Sequence, residues 1–356
     1  MNDAKTAPCR HFGHCGGCTL QDVEYPEQLA RKEKKLAQLF ERAAGFGAIP
    51  AVEIVPSAPY GYRDRFQFHR VDKALYKQLN ARYKHLKTDK LVLSNAGLAA
   101  RRKCDIIPID DCPVANPLVR DALREGKIKP PLDKDRWTVY GRDKTLLAEG
   151  GKERGKIILC GKEVIVDAGL FFQSNGALLE TLIKRIVALA EDVGNKERAG
   201  DFYCGVGTFA VFLQDVFPCV DLLDENPASI ALARDNMART RREGASGEAR
   251  TRFWAMTDHQ WAKERQRLKE PYDFLVVDPS RQGLSPMMRA WLRENKPRTL
   301  VYASCDPVAL VRDAQELTAC YALETLTLYD FYPQTEHMET LAVFRLKEEG
   351  GAPPSC

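Results

Sequence analysis

The sequence has no long apolar run. A bilayer-spanning helix needs about 18 or more consecutive apolar residues, and no such stretch occurs. Residues 1–20 lack the apolar core of a secretory leader. These absences predict a chain with no membrane partner and a cytoplasmic location by default. Net charge is also scarce: 53 Lys and Arg stand against 49 Asp and Glu, a formal balance of +4. So small an excess permits RNA binding without requiring it. No internal repeat is present, which argues against solenoids and propellers. With 356 residues the chain has room for two domains and needs no disulfides to hold a core.

Cysteine is plentiful, at 11 residues. In a reducing compartment clustered cysteines serve more often as metal ligands or catalytic groups than as disulfides. Cys9, Cys15 and Cys18 crowd into "CRHFGHCGGCTLQ" with glycines between them. A fourth ligand is available from Cys112 or Cys104. Four thiolates suit a [4Fe–4S] cluster and also structural zinc, and His11 and His14 keep zinc open.

Organisation follows from pattern. "YPEQLARKEKKLAQLFERAAG" reads as an amphipathic helix closing an N-terminal segment, 1–50. Residues 51–167 hold short β-like runs, among them "RFQFHRV", "RWTVY" and "EVIVD", with one helix near 116–125. This predicts a small, mostly antiparallel β domain. Its interleaved bases and rings ("YGYRDRFQFHR", "YKQLNARYKHLK") suit an RNA surface or an ordinary solvated sheet face. From 168 to 349 strand and helix alternate. Strands are predicted at 199–203, 219–224, 251–255, 272–277 and 298–302, with helices at 175–193, 207–216, 226–240, 259–268, 285–293 and 307–318. Such alternation implies an α/β, Rossmann-like parallel sheet. The runs "ALETLTLYDFY" and "ETLAVFRL" close it with an antiparallel hairpin, giving a mixed sheet. Residues 350–356 are expected to be a disordered tail.

Gly205 and Gly207 follow the first parallel strand in "AGDFYCGVGTF". Glycines there let the backbone turn sharply and approach a ligand. The third glycine of a dinucleotide fingerprint is missing, which counts against NAD. Asp224 ends the second strand, where an acid can accept from both hydroxyls of a ribose; Glu225 is its competitor. S-adenosylmethionine has a ribose and a small charged end. Asp278 ends the strand of "YDFLVVDP", and Cys305 ends the next in "YASCDP". Both therefore reach the rim that carries the glycine loop. Cys305 also leads into a helix, whose dipole favours a thiolate. A tight turn, a strand terminator and a packing cysteine are the ordinary alternatives for these residues taken singly.

Together the stretches "FFQSN" (171–175), "DFYCGVGTF" (201–209), "DPSRQG" (278–283), "SCDPVALVRD" (304–313) and "DFYPQTEHMET" (330–340) carry a family resemblance. The chain resembles the S-adenosylmethionine-dependent RNA uracil-5-methyltransferases, which make 5-methyluridine. Its "C-x5-C-x2-C-x-L-Q" at 9–21 is similar to that of members with an iron–sulfur cluster, and the β-barrel some members carry is absent. The resemblance implies a class I methyltransferase domain, with Cys305 as nucleophile and Glu339 as base. It implies cofactor contacts from Gln173, Tyr203, Asp224 and Asp278, with Gly205, Gly207 and Thr208. It implies a [4Fe–4S] cluster on Cys9, Cys15 and Cys18, with Cys112 the fourth ligand because it precedes a proline. RNA is the implied partner, ribosomal more than transfer RNA, acting on a monomer without an obligate protein partner. Three departures stand out: Asp306 for the usual Asn, Asp224 for the usual Glu, and "DPSR" for "DPPR". Asp306 should raise the Cys305 pKa unless its charge is offset. A nucleotide-dependent oxidoreductase and a non-catalytic RNA-binding module are the competing readings.

Overall fold

The computed structural model describes residues 7–43, 45–71, 96–100, 106–241, 250–265 and 271–347. The "KLVLS" run, the whole of "YKQLNARYKHLK", Cys104, the end of the 259–268 helix and the 350–356 tail lie outside them. The chain forms two compact units. One takes Met1–Lys32, Pro56–Thr181 and Asp330–His337; the other takes Glu33–Val55, Leu182–Tyr329 and Met338–Cys356. The elements in chain order begin with α1 (Tyr25–Glu41), β1 (Val52–Val55), β2 (Arg65–Arg70), β3 (Ala96–Ala99), β4 (Ile106–Pro108) and α2 (Pro117–Arg124). Then come β5 (Arg136–Arg142), β6 (Thr145–Ala148), β7 (Arg154–Leu159), β8 (Lys162–Asp167) and α3 (Gly176–Glu191).

In the first unit the described strands form an antiparallel sheet, β4-β3-β2-β5-β6, beside the hairpin β7-β8. Alternation in "RFQFHR" puts Phe66 and Phe68 on one face of β2, where both are buried. Phe68 packs on Trp137 of β5 with ring centroids 6.0 Å apart. Asn116 caps α2 by accepting from the Val119 N–H at 2.9 Å. The β-rich part is therefore antiparallel, as its alternating pattern predicts.

The second unit continues with β9 (Arg198–Phe202), α4 (Ala210–Leu213), β10 (Cys219–Asp224), α5 (Pro227–Thr240), β11 (Arg250–Ala255) and α6 (Asp258–Glu264). It closes with β12 (Phe274–Val277), α7 (Pro286–Asn295), β13 (Thr299–Ser304), α8 (Pro307–Leu317), β14 (Tyr321–Tyr329) and β15 (Glu339–Leu346). Its eight described strands make one mixed sheet in the order β1-β14-β15-β13-β12-β9-β10-β11. Only β15 runs antiparallel to its neighbours. "FLVV" of β12 is buried at every residue, as a central parallel strand covered on both faces must be. Phe202, Trp261 and Trp291 lie under the sheet, with centroids 4.6 and 4.8 Å apart along the series. Leu36 and Phe40 of α1 join that core.

The chain leaves β9 towards β10 on one side and returns to β12 on the other. That reversal is the switch point where open α/β sheets bind ligands, outside the carboxyl ends of the strands. Two sequence expectations differ here. The helix predicted over 207–216 is α-helical only over Ala210–Leu213, because its flanks close with tighter i→i−3 bonds at Phe212, Asp215 and Val216. Residues 52–55, grouped by sequence with the small domain, form β1 at the edge of the large sheet, with Val52 opposite Leu326.

Candidate active site

At the end of β9 the backbone turns through Tyr203 (φ 61°), Gly205 (φ 53°) and Gly207 (φ 82°). Gly207 packs tightly, and a Cβ there would stand 3.2 Å from the Ala233 Cβ of α5. Gly205 is the opposite case: a Cβ would meet nothing within 4 Å, so the loop faces open space. Thr208 follows in the same turn, its N–H 3.4 Å from the Cys204 carbonyl. Asp224 is fixed beside this space. Its Oδ2 accepts from the Gly205 N–H at 2.9 Å and its Oδ1 from the Asn226 N–H at 2.8 Å. Each oxygen keeps a further lone pair for a ligand hydroxyl. Glu225 is exposed beyond the strand end.

Cys305 and Glu339 meet through strand register. β13 and β15 pair antiparallel, with Ser304 opposite Thr340. The ladder ends there; Cys305 follows Ser304, Glu339 precedes Thr340, and Glu339 acts on the Cys305 thiol electrostatically. Asp278 follows β12, whose Val277 is opposite Tyr302 of β13. The three therefore share one end of the sheet, and their electrostatics agree. The Cys305 thiol is pushed up to about 12, first by burial, then by Glu339 and Asp278, with Arg281 pulling it down. Glu339 is 3% exposed, and burial followed by Asp278 holds its pKa well above the ordinary carboxyl value. The thiolate-favouring helix dipole expected from sequence is thus outweighed by burial and two acids. Asp306 caps α8, its Oδ1 accepting from the Val308 N–H at 2.9 Å and the Ala309 N–H at 3.1 Å. Those amides supply the offset that its charge beside the thiol requires.

Three acids that the sequence reading passed over support the rim. Asp201, fully buried in β9, accepts from the Ala210 N–H at 2.8 Å, and burial pushes its pKa up to about 8. An acid inside an otherwise apolar strand was its readable signal. Asp258 accepts from the Tyr203 hydroxyl at 2.6 Å and the Ser285 N–H at 2.8 Å. Asp313 accepts from the Leu284 N–H at 2.7 Å and the Tyr302 hydroxyl at 2.8 Å, while Arg312 donates to the Gln282 carbonyl at 2.7 Å. These bonds pin the 278–283 turn. Its Gly283 (φ 73°) cannot be replaced, because a Cβ would lie 2.4 Å from Asp313 Oδ2.

The first unit holds the remaining candidates. Gln173 is buried, and its Oε1 has no hydrogen-bond partner. Cys9, Cys15, Cys18 and Cys112 line one cavity of about 30 Å3 together with His11, Gln21 and Arg63. Burial is the largest cause raising all four thiols, Cys15 to about 11 and Cys112 to about 12. The thiols also raise one another. Burial lowers His11 to about 4, so it is neutral at pH 7. Among the described residues no three His, Cys, Asp or Glu side chains are gathered to hold a metal ion.

A glycine turn beside an acid-ended strand, at the switch point of a sheet closed by an antiparallel hairpin, defines a class I S-adenosylmethionine-dependent methyltransferase. The comparisons narrow this. Residues 163–347 match the tRNA (uracil-5-)-methyltransferase family. An RNA methyltransferase of Treponema denticola, itself uncharacterized, is 30% identical, covering 95% of this chain and 83% of that protein. A 23S rRNA (uracil(1939)-C(5))-methyltransferase of Shewanella sediminis is 27% identical over 97% of this chain and 83% of its own. The crystal structure of the Pyrococcus abyssi tRNA (uracil-54, C5)-methyltransferase with S-adenosyl-L-homocysteine superposes with a TM-score of 0.67 at 25% identity. That match covers 93% of this chain and 86% of the other. The chain belongs to the tRNA (uracil-5-)-methyltransferase family and is an S-adenosylmethionine-dependent RNA uracil-C5 methyltransferase. Among the described residues no helix is long and apolar enough to cross a membrane.

Proposed function

We propose that the rim site methylates a uridine through a covalent adduct on Cys305, with Glu339 as the base. The observation that supports this best is the nearness of the two groups: Glu339, a buried carboxyl, is the first charged group acting on the Cys305 thiol. The open side of Gly205 and the remaining lone pairs of Asp224 fit a ligand with a small charged end and a ribose. Gly205, Gly207 and Thr208 would cradle the former, and Asp224 the ribose hydroxyls. Tyr203, its hydroxyl committed to Asp258, offers its ring, and Asp278 completes the set at the sheet rim; Gln173 is the candidate contact that the first unit would supply. Bound S-adenosylmethionine supplies a methyl group on a sulfonium leaving group.

Carbon 5 of uracil is too weak a nucleophile to take that methyl unaided. Cys305 first gives its thiol proton to solvent; the thiolate Sγ then adds to carbon 6, forming an S–C6 bond and moving the C5=C6 pair towards O4 as an enolate. Carbon 5 then bonds to the methyl carbon, and the methyl–sulfur pair stays on the departing sulfur. Glu339 takes the proton from carbon 5; that pair restores C5=C6 as the C6–S bond breaks and the Cys305 thiolate leaves. Burial favours the protonated form of Glu339, so it must first ionise; once ionised, its raised pKa makes it the stronger base for this step. The target base must leave its stack to reach Cys305.

The β-rich part, 51–167, is the proposed RNA-binding portion. Beside it in the same unit Phe171 is 60% exposed, with the Arg65 guanidinium 5.6 Å from its ring centroid. An exposed ring next to a cation suits a stacked base. Cys9, Cys15, Cys18 and Cys112 are the proposed ligands of a [4Fe–4S] cluster. A single zinc at Zn–S distances near 2.3 Å would draw its sulfurs to about 3.8 Å from one another. The four thiols share one cavity and raise one another's pKa, which supports a common ligand set whose thiolates would hold the cluster. Ribosomal RNA is the first substrate to test and transfer RNA the second, since relatives of both kinds are similar to this chain.

The test is incubation of anaerobically purified protein with methyl-labelled S-adenosylmethionine and either unmodified large-subunit ribosomal RNA or a transfer RNA set, followed by nucleoside digestion. Label in 5-methyluridine from the ribosomal transcript is expected. Label from transfer RNA alone would move the substrate assignment. Label in neither, with cofactor bound, overturns the uridine reading for both.

A further inference from the structure

The stretch 330–337 joins β14 to β15 and ends two residues before Glu339. It has no helix or strand, yet Asp330, Phe331, Gln334 and Thr335 are buried. Gln334 sits at φ 67°, a left-handed conformation that a non-glycine residue keeps only when its surroundings hold it.

The holding groups come from residues 19–32 and from Tyr62 of the same unit. The Thr19 and Leu20 N–H groups both donate to the Gln334 carbonyl, at 2.8 and 3.0 Å. The Gln334 N–H donates to Gln28 Oε1 at 2.9 Å. Gln28 Nε2 donates to Gln334 Oε1 at 3.0 Å and to the Leu20 and Val23 carbonyls at 2.9 Å. Lys32, 1% exposed, pairs with Asp330 at 2.6 Å and donates to the Tyr332 carbonyl at 3.2 Å. The Tyr62 hydroxyl donates to the Pro333 carbonyl at 2.9 Å.

A connection between two paired strands does not need this much. A buried lysine–aspartate pair is often no more stabilising than apolar residues of the same volume, so stability alone explains it poorly. What it does supply is a single geometry. The residue that needs one is next along the chain: Glu339 opens β15, opposite Tyr329 at the end of β14. Its carboxylate has to reach one proton on one carbon.

We infer that Gln28 and Lys32 are positioning residues for Glu339, acting through the 330–337 connection. The inference rests on reading Glu339 as the base, and it predicts a selective fault. Variants here should still add Cys305 to uracil and transfer the methyl group, but should release the product slowly.

The experiment compares wild type, Glu339→Gln, Gln28→Ala and the double variant Lys32→Met/Asp330→Asn, which leaves no unpaired buried charge. Single-turnover reactions with labelled S-adenosylmethionine and the substrate RNA are followed on denaturing gels for methylated RNA bound covalently to protein. Glu339→Gln should trap the adduct. Gln28→Ala and the double variant should each accumulate at least about tenfold more adduct than wild type. Their kcat should fall about 10- to 100-fold with KM for RNA unchanged, since a displacement on the order of 1 Å costs about 10²-fold. If Glu339→Gln traps adduct and both positioning variants release product like wild type, the inference is overturned and the base assignment stands. Equal slowing of methyl transfer and release, without adduct, also overturns it, because that marks a general structural loss. No adduct in Glu339→Gln removes the base assignment itself and the inference with it.

Discussion

Cys112 and Cys305 both have thiols pushed up to about 12, and burial is the largest cause at each. Their neighbours set them apart. At Cys112 the further push comes from Cys18, Cys15 and Cys9. At Cys305 it comes from Glu339 and Asp278, partly offset by Arg281. A thiol among thiols is relieved by cations that bind them all, and deprotonation then comes with the metal. A thiol among carboxyls is relieved by moving protons, so it keeps its proton until a substrate makes losing it worthwhile. Under the proposed function the same displacement belongs to a ligand in one place and a nucleophile in the other; a pKa alone would not separate them.

The largest effect that could break this contrast is at the nucleophile. Cys305→Ala should lower methyl transfer by at least about 10⁴-fold while leaving S-adenosylmethionine binding intact, measured by turnover and calorimetry. Residual activity near wild type would make Cys305 a packing residue after all. Next is Cys112→Ser, which should remove nearly all bound iron and the visible absorption of the anaerobic protein. It should also lower Tm by roughly 5 °C or more. Retention of iron and sulfide would place the ligand elsewhere. A pH profile sharpens the comparison further. With the Cys305 thiol near 12, its thiolate fraction grows about tenfold per pH unit, so kcat/KM should climb from neutral into alkaline pH. A profile level from about pH 6 to 8 would mean that bound RNA, and not solvent, sets the proton. The smallest effect is expected for Asp306→Asn. Both residues cap a helix equally well, so kcat should stay within about threefold of wild type.

Much of the sheet was legible because it obeys local rules. β10 lies where its apolar run predicts, and α8 begins at the proline after "SCD". The closing hairpin is antiparallel, as its two adjacent runs suggest. What escaped depends on partners far away in sequence. β1 is four residues long and owes its place to Leu326–Tyr329. Asp258 and Asp313 look like helix acids until Tyr203 and Leu284 are seen donating to them. Gln28 and Gln334, 306 residues apart, are ordinary polar residues in any local window. Candidate site residues that sit at strand ends were readable; those that hold loops were not.

The pairing of β13 with β15 has a consequence for variation along the chain. Cys305 and Glu339 flank the last pair of the β13–β15 ladder, Ser304 opposite Thr340, so the ladder and not the length of peptide between them brings them near. Insertions or deletions in the turn between α8 and β14 should therefore be tolerated. A single-residue shift in the β15 ladder should not, because it would turn Glu339 to the opposite face of the sheet. The length between the proposed nucleophile and the proposed base is accordingly free to vary, provided that the alternation from residue 339 onward keeps its phase.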